Sequence, residues 1–271
     1  MDSSLWRTAF ASVIGVSHAE SATPCQDASR CILKSAAGDA EILILVISDG
    51  AGSAIQSHHG SALACEAFVT AITSLHELEG DLHNLNREWL TGWVEEWRHT
   101  VSESALANGY QLRDYACTLL AAVVSTKEAF FFQIGDGAIV VRDTDETDQY
   151  AYVFWPVQHE YANVTDFLSD KNAAQKILFD TYQGYIDELA LFSDGLQRVA
   201  LLMNQQKVHS PFFRRLFPPL RVLSPDSTVN ASFSLGSFLS SPRINERTDD
   251  DKSLILATRY TAGTIEVAAK E

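Results

Sequence analysis

Apolar residues along this chain come in short runs, and their spacing alternates between that of strands and that of helices. Trp6 to Val16 (WRTAFASVIGV) is largely apolar with small polar interruptions and reads as a strand buried on both sides. Ser17 to Asp27 (SHAESATPCQD) is polar, contains a Pro and reads as a loop. Ala28 to Leu33 predicts a second strand, Ser35 to Asp39 a turn, and Ile42 to Ser48 the strand that completes a hairpin. This third strand carries the β-branched run Leu43-Ile44-Leu45-Val46-Ile47 and leads into Ser48-Asp49-Gly50-Ala51-Gly52-Ser53.

From Ser53 to about Leu78 the spacing becomes helical, with Ala62, Cys65, Val69 and Ile72 on one side. A second helix is predicted from about Leu85 to Asn108, with Trp89, Trp93, Val94, Trp97 and Val101 as a core-facing stripe and Asn108-Gly109 as its stop. Strand runs return at Ala116–Val124, Ala129–Ile134, Ala138–Arg142 and Tyr150–Trp155. They predict an antiparallel meander with turns at Ser125-Thr126-Lys127, Gly135-Asp136-Gly137 and the acidic stretch Asp143 to Asp148. Pro156 to Gln183 is mixed and polar, with a helical patch near Ala173–Phe179, and suits a flap over a site.

Tyr185–Phe192 is a further strand, ending in Ser193-Asp194-Gly195, and Leu196 to about Asn204 reads as helical. Phe212, Phe213, Leu216 and Phe217 suggest a short helix that stops at Pro218-Pro219. Asp226 to about Ser240 predicts another helix. The acidic turn Thr248 to Lys252 precedes the strand Ser253–Thr258, and a last strand is expected near Thr264–Ala268. Helices fall in two blocks and strands cluster at the start, middle and end. The expected fold is therefore α+β, with antiparallel sheets and helices segregated on their faces, rather than alternating βαβ. No repeat, low-complexity tract or linker divides the chain, so one domain is expected over residues 1–271, with its core at about 6–260.

Composition narrows the function. The chain has 271 residues, is 46% hydrophobic and 20% charged, and carries a net charge of −15. That balance argues against a nucleic-acid partner and against an anionic membrane surface, both of which call for clustered Lys and Arg. Cys25, Cys31, Cys65 and Cys117 are not in CxxC spacing, which speaks against structural zinc. Cys65 and Cys117 sit among apolar residues and are expected to be buried thiols. The first residues lack a basic segment followed by a long apolar core, and no apolar run reaches the length of a membrane span. A cytoplasmic protein with reduced cysteines is expected.

Strand boundaries also collect aspartates. Ser48-Asp49-Gly50, Gly135-Asp136-Gly137, Ser193-Asp194-Gly195, Asp249-Asp250-Asp251 and Gln26-Asp27 each sit where a buried strand begins or ends. Each alone is an ordinary turn. Together they place mutually repelling carboxylates at strand ends, where like charges raise one another's pKa unless a cation neutralises them. Oxygen ligands of this kind suit Mg²⁺ or Mn²⁺.

The ordered set Gln26-Asp27, Asp49-Gly50, Cys117-Thr118, Gly135-Asp136-Gly137, Ser193-Asp194-Gly195-Leu196 and Asp250-Asp251-Lys252-Ser253 resembles the metal-dependent protein phosphatases of type 2C, over roughly Trp6 to Thr258. The resemblance implies a four-layer α-β-β-α sandwich of two antiparallel sheets flanked by helices. It implies two Mg²⁺ or Mn²⁺ ions, with Asp49 bridging them, the Gly50 carbonyl on one, and Asp194 and Asp250 on the other. Asp27 would hold waters around the ions as part of the catalytic set, and Asp136 with Asp194 would match a weaker third site. The implied reaction is hydrolysis of phosphoserine or phosphothreonine in a phosphorylated protein by an activated water, without a covalent enzyme intermediate. A cognate Ser/Thr kinase is the implied partner.

Three departures stand out. Gln26 replaces the first acid of the family's Glu-Asp pair. Ala51 replaces a His that serves as a proposed general acid. Ala22 stands where a phosphate-binding Arg is usual. His18, in the same loop, is a candidate for contacting phosphate or protonating the leaving group, against the plainer reading of a solvated loop histidine. His58 and His59 read as helix-surface residues, and Asp249 to Asp251 leave the register of the last ligand open. The competing function is a degenerate phosphatase fold that binds phosphorylated partners without turnover. A two-metal nuclease fails for want of a basic groove.

Overall fold

Successive side chains of a strand point to opposite faces, so the unbroken apolar run from Ile42 to Ile47 can be buried only if both faces are covered. In the computed structural model, which describes residues 6–35, 41–79, 82–142, 149–156, 165–224 and 227–260, both faces are. Ile42, Ile44 and Val46 pack beneath helices, while Leu43, Leu45 and Ile47 face a second sheet.

In chain order the strands are β1 (Trp6–Val13), β2 (Ala28–Ser35), β3 (Glu41–Ser48), β4 (Leu119–Val124), β5 (Glu128–Ile134), β6 (Ala138–Arg142), β7 (Ala151–Tyr152), β8 (Leu178–Gln183), β9 (Glu188–Phe192), β10 (Leu201–Leu202), β11 (Lys207–Val208) and β12 (Lys252–Arg259). The helices are α1 (Val16–Glu20), α2 (Ser57–Glu79), α3 (Arg87–Ala107), α4 (Ala173–Lys176), α5 (Gln197–Ala200), α6 (Ser210–Arg221), α7 (Thr228–Leu239) and α8 (Pro242–Asn245). One antiparallel sheet has the order β1-β12-β9-β6-β7 and the other β2-β3-β4-β5-β8, with β10 and β11 as a small separate ribbon.

Three apolar layers hold these elements together. Phe68, Ile72, Trp93, Val94 and Trp97 from α2 and α3 cover Ile44, Val46 and Phe132 of one sheet. Phe212, Phe213 and Phe217 of α6, with Leu235 and Leu239 of α7, cover Val140, Phe192 and Leu254 of the other. Leu45, Leu120 and Phe131 meet Ile139, Leu191 and Ile255 between the sheets. Each fully buried side chain of this size contributes about 1.5–3 kcal/mol of transfer free energy. The expected α-β-β-α layering is present, and the tryptophan stripe belongs to the core.

Several local expectations are corrected. The first strand stops at Val13, not Val16. Gly15 turns there with its backbone against the 249–251 loop, where an added Cβ would lie 2.3 Å from the Asp249 carbonyl oxygen. Part of the expected loop is the short helix α1, which carries His18. The four-strand meander is divided between sheets: β4 and β5 pair in one, while β6 and β7 pair in the other. Gly135-Asp136-Gly137 is thus a crossover between layers rather than a hairpin turn. Gly135 makes it with a φ of 108°, a left-handed value that favours glycine.

Only Ala173–Lys176 of the expected helical patch is helical, and Leu178–Gln183 is an edge strand on β5. Helix α6 runs through Pro218 and Pro219 to Arg221, because Phe212, Phe213, Phe217 and Leu220 are buried on the sheet and hold it there. The expected turn around 36–39, the acidic stretch 143–148 and the last strand near Thr264–Ala268 lie outside the described residues.

Candidate metal centre

The layering sets where the carboxylates go. β3 and β9 end, and β2, β6 and β12 begin, at the same end of the sandwich, so Asp49, Asp194, Asp27, Asp136 and Asp250 are delivered to one place from both sheets. A cavity of about 170 Å3 opens there, lined by Asp49, Gly50, Asp136, Asp194 and Asp250, with His18 at its side. A larger groove between α6 and α7, about 550 Å3, is lined mostly by apolar side chains and collects no such chemistry.

Each carboxylate is aimed by a partner distant in sequence. The Asp49 backbone is clamped by Thr118: the Asp49 N–H donates to Thr118 Oγ1 at 2.9 Å, and the Thr118 N–H donates to the Asp49 carbonyl at 2.8 Å. Gly50 lies so close to its neighbours that an added Cβ would fall 2.7 Å from the Gln26 carbonyl and 2.8 Å from that of Ser57, which excludes any side chain. Ser193 Oγ donates to Asp27 Oδ2 at 2.7 Å and accepts from the Ser253 N–H at 3.0 Å, which ties β2 to β9 and β12. Asp136 is held from two sides. Thr165 Oγ1 donates to its Oδ2 at 2.9 Å, and Gln197 donates to its backbone carbonyl.

The acidic turn before β12 divides its labour. Asp251 is buried and turns inward, accepting from the backbone N–H of Gly15 at 2.7 Å and of Gln26 at 2.6 Å. Its Oδ2 also meets His18 Nδ1 at 2.9 Å. Asp250 is exposed, its Oδ1 accepting from the Asp251 N–H at 2.8 Å, and both residues line the cavity. Lys252, fully buried, donates to the Asp250 carbonyl at 3.0 Å and to Asn245 Oδ1 at 3.2 Å.

Electrostatics give the group a clear demand for positive charge. Burial, reinforced by Asp251 and Asp194, pushes Asp27 up to about 7 against the opposing hydrogen bonds from Ser193 and Ser253. Burial and then Asp136 and Asp250 push Asp194 up to about 6. Asp49 is raised well above the usual carboxylate range by burial and then by Asp27 and Asp194. Gln26 Oε1, Asp27 Oδ1 and Asp194 Oδ1 are buried acceptors without a protein partner. Unpaired acceptors beside mutually repelling carboxylates fit hydrated divalent cations, which accept only oxygen ligands here and donate through their waters. Among the described residues no three His, Cys, Asp or Glu side chains already close on a common point.

The structure brings together Asp27, Asp49, Asp136, Asp194, Asp250 and Asp251, though not the exposed Asp249, and it places His18 with them as a paired rather than solvated histidine. The rings of His58 and His59 lie 4.0 Å apart, tilted by 38°, in the first turn of α2, and neither lines the cavity. Ala51 packs with Ala54, Ala116 and Phe167 as an apolar wall, and Ala22 is exposed just after α1. Nothing in the mixed 156–183 segment or in the helix after Asp194 signals that Thr165 and Gln197 meet Asp136 or that Phe167 lines the cavity.

A four-layer sandwich whose two sheets converge on buried carboxylates defines a hydrolase framework built for oxygen-ligated divalent cations. The chain belongs to the protein phosphatase 2C family, whose model matches residues 14–240. It is 35% identical over 252 residues, 93% of this chain and 98% of the relative, to Serine/threonine-protein phosphatase 3 of Escherichia coli (strain K12). Its fold is similar to that of a bacterial serine phosphatase (TM-score 0.60, 17% identity, 93% of this chain and 96% of that one) and of the S. agalactiae serine/threonine phosphatase (0.61, 14%, 93% and 99%). It is also similar to the catalytic domain of the serine/threonine protein phosphatase PstP, solved with two manganese ions (0.59, 16%, 94% and 99%). Among the described residues, no helix is long and apolar enough to cross a membrane.

Proposed function

We infer that this protein is a metal-dependent protein serine/threonine phosphatase that hydrolyses phosphoserine and phosphothreonine in phosphorylated proteins. The convergence of Asp49, Asp194 and Asp250 on one cavity, beside buried acceptor oxygens without partners, carries the reading. Two Mg²⁺ or Mn²⁺ ions would be held by Asp49, the Gly50 carbonyl, Asp194 and Asp250, and a weaker third by Asp136 with Asp194. Two divalent ions supply the charge that lowers the pKa of an attacking water and neutralises the phosphate oxygens.

The protein's own residues supply position. Thr118 fixes the Asp49 backbone and Ser193 fixes Asp27, whose buried, unpaired Oδ1 would accept from water held around the ions. Phe167 and Ala51 wall one side against solvent. We take the chain as one catalytic domain acting in the cytoplasm, opposite a cognate Ser/Thr kinase.

Gln26, Ala22 and Ala51 favour the second reading, a binding module without turnover. Release of phosphate from a phosphothreonine peptide decides between them. Turnover with Mn²⁺ that is abolished by a chelator and restored by excess metal is expected. Tight peptide binding with no phosphate released at any metal concentration would establish the module instead.

A further inference from the structure

The cavity has a marked imbalance in what lines it. Among the described residues it holds several carboxylates, an amide and two threonine hydroxyls but no Lys or Arg, and His18 is the one nitrogen base that lines it. Asp49, Asp194 and Asp250 would serve as ligands and be deprotonated with cations bound. Ala51, which could supply no proton, is packed into the apolar wall formed with Ala54, Ala116 and Phe167. A departing seryl or threonyl alkoxide is strongly basic and needs a proton as it leaves.

His18 is built for that task. Its Nδ1 lies 2.9 Å from Asp251 Oδ2, and Asp251 is itself fixed by the backbone N–H groups of Gly15 and Gln26. A carboxylate can only accept there, so Nδ1 carries a proton and the ring is held with Nε2 on its far side. The carboxylate–imidazole pair spans the chain, joining α1 to the turn before β12, so the ring's place is set by the fold and not by its own short helix.

We propose that His18, oriented by Asp251, is the general acid that protonates the leaving oxygen in this enzyme. The assignment rests on the phosphatase reading above. Water forms a new bond to phosphorus as the ester P–O bond breaks. The electron pair of the broken bond stays on the serine or threonine oxygen and takes the proton from His18 Nε2. The proton released by the attacking water restores the imidazolium, so the sum is phosphoester plus water giving alcohol plus hydrogen phosphate. Asp251 is a positioning residue, since it acts through the ring.

The test compares two substrates in one variant. In His18→Asn the amide nitrogen occupies roughly the place of Nδ1 and keeps a donor to Asp251, while Nε2 is gone. p-Nitrophenolate leaves without a proton, but a threonine alkoxide does not. With saturating Mn²⁺, His18→Asn is expected to lower kcat on a phosphothreonine peptide about 100-fold or more, the range of a general acid, and on p-nitrophenyl phosphate by less than about fivefold. Equal losses on both substrates, or no loss on either, would overturn the assignment while leaving the phosphatase reading standing. Asp49→Asn, which removes a proposed ligand, should lose both substrates alike. Absence of metal-dependent turnover in the wild type overturns the phosphatase reading itself and this assignment with it. Mn²⁺ binding measured by calorimetry on His18→Asn should match wild type, and a loss there would show the residue to be structural.

Discussion

Asp27 and Asp194 hold protons in the metal-free fold at pH values where unfolded aspartates have lost them. Their raised values, about 7 and about 6 against an ordinary 3.8, come first from burial and then from neighbouring carboxylates. Between pH 4 and 7 the folded state therefore binds more protons than the unfolded state. The stability this confers is complete below the unfolded value and is lost as pH rises through the folded values. The melting temperature of chelator-treated protein is expected to fall between pH 5 and pH 7.5, and saturating Mn²⁺ should remove much of that fall by replacing protons with cations. A thermal-shift series at several pH values, with and without metal, checks this. A metal-free melting temperature that stays level or rises over that range would contradict it.

Among the strands and turns, the crossover from β5 to β6 is the most exacting. Gly135 has a positive φ, and an added Cβ would lie 2.5 Å from the Thr118 methyl, so Gly135→Ala strains the backbone and pushes on the residue that clamps Asp49. The substitution should cost about 1–3 kcal/mol of stability and weaken Mn²⁺ binding as well. Chemical denaturation and a metal titration on one preparation measure both. A variant that loses stability but binds Mn²⁺ as wild type does would show that Gly135 serves the turn alone.

The same crossover marks where sequence was hard to read. Gly-Asp-Gly between two apolar runs has the signature of a hairpin, and only the packing of two sheets tells a hairpin from a change of layer. The run before Asp49 was legible for the opposite reason. Burial on both faces leaves it no polar positions, and Asp49, Asp194 and Asp136 stand out because each meets the end of such a run beside a glycine. β8 does not show as a strand in the mixed segment 156–183, whose helical patch overlaps only Leu178 and Phe179, because an edge strand leaves much of LFDTYQ partly or wholly exposed and blurs the alternation. The partners that aim the site were invisible because they are remote: His18 and Asp251 are 233 positions apart, and Ser193 and Asp27 166. The burial of Asp251 follows from backbone donors, Gly15 and Gln26, that no sequence motif announces.

For the protein taken together, the two sheets and their helices form a scaffold whose stability lies in three apolar layers, with its chemistry confined to one end. Asp27, Asp49, Asp136, Asp194, Asp250 and Asp251 gather there in a form that is costly without cations. The fully buried Lys252 is the protein's own partial remedy, its ammonium lying against the Asp250 carbonyl. Membership of the protein phosphatase 2C family, the converging aspartates and the unpaired acceptors lead to the same account, in which divalent cations are bound between the sheets to hydrolyse phosphoesters. The measurement that bears hardest on that account is the rate of p-nitrophenyl phosphate hydrolysis across a Mn²⁺ titration, for wild type and Asp49→Asn side by side. The account predicts a saturable, metal-dependent rate in wild type and a loss of about 100-fold or more in the variant, the scale seen when a catalytic electrostatic contact is removed. A wild-type rate indifferent to metal, or an Asp49→Asn rate equal to wild type at every concentration, would contradict it.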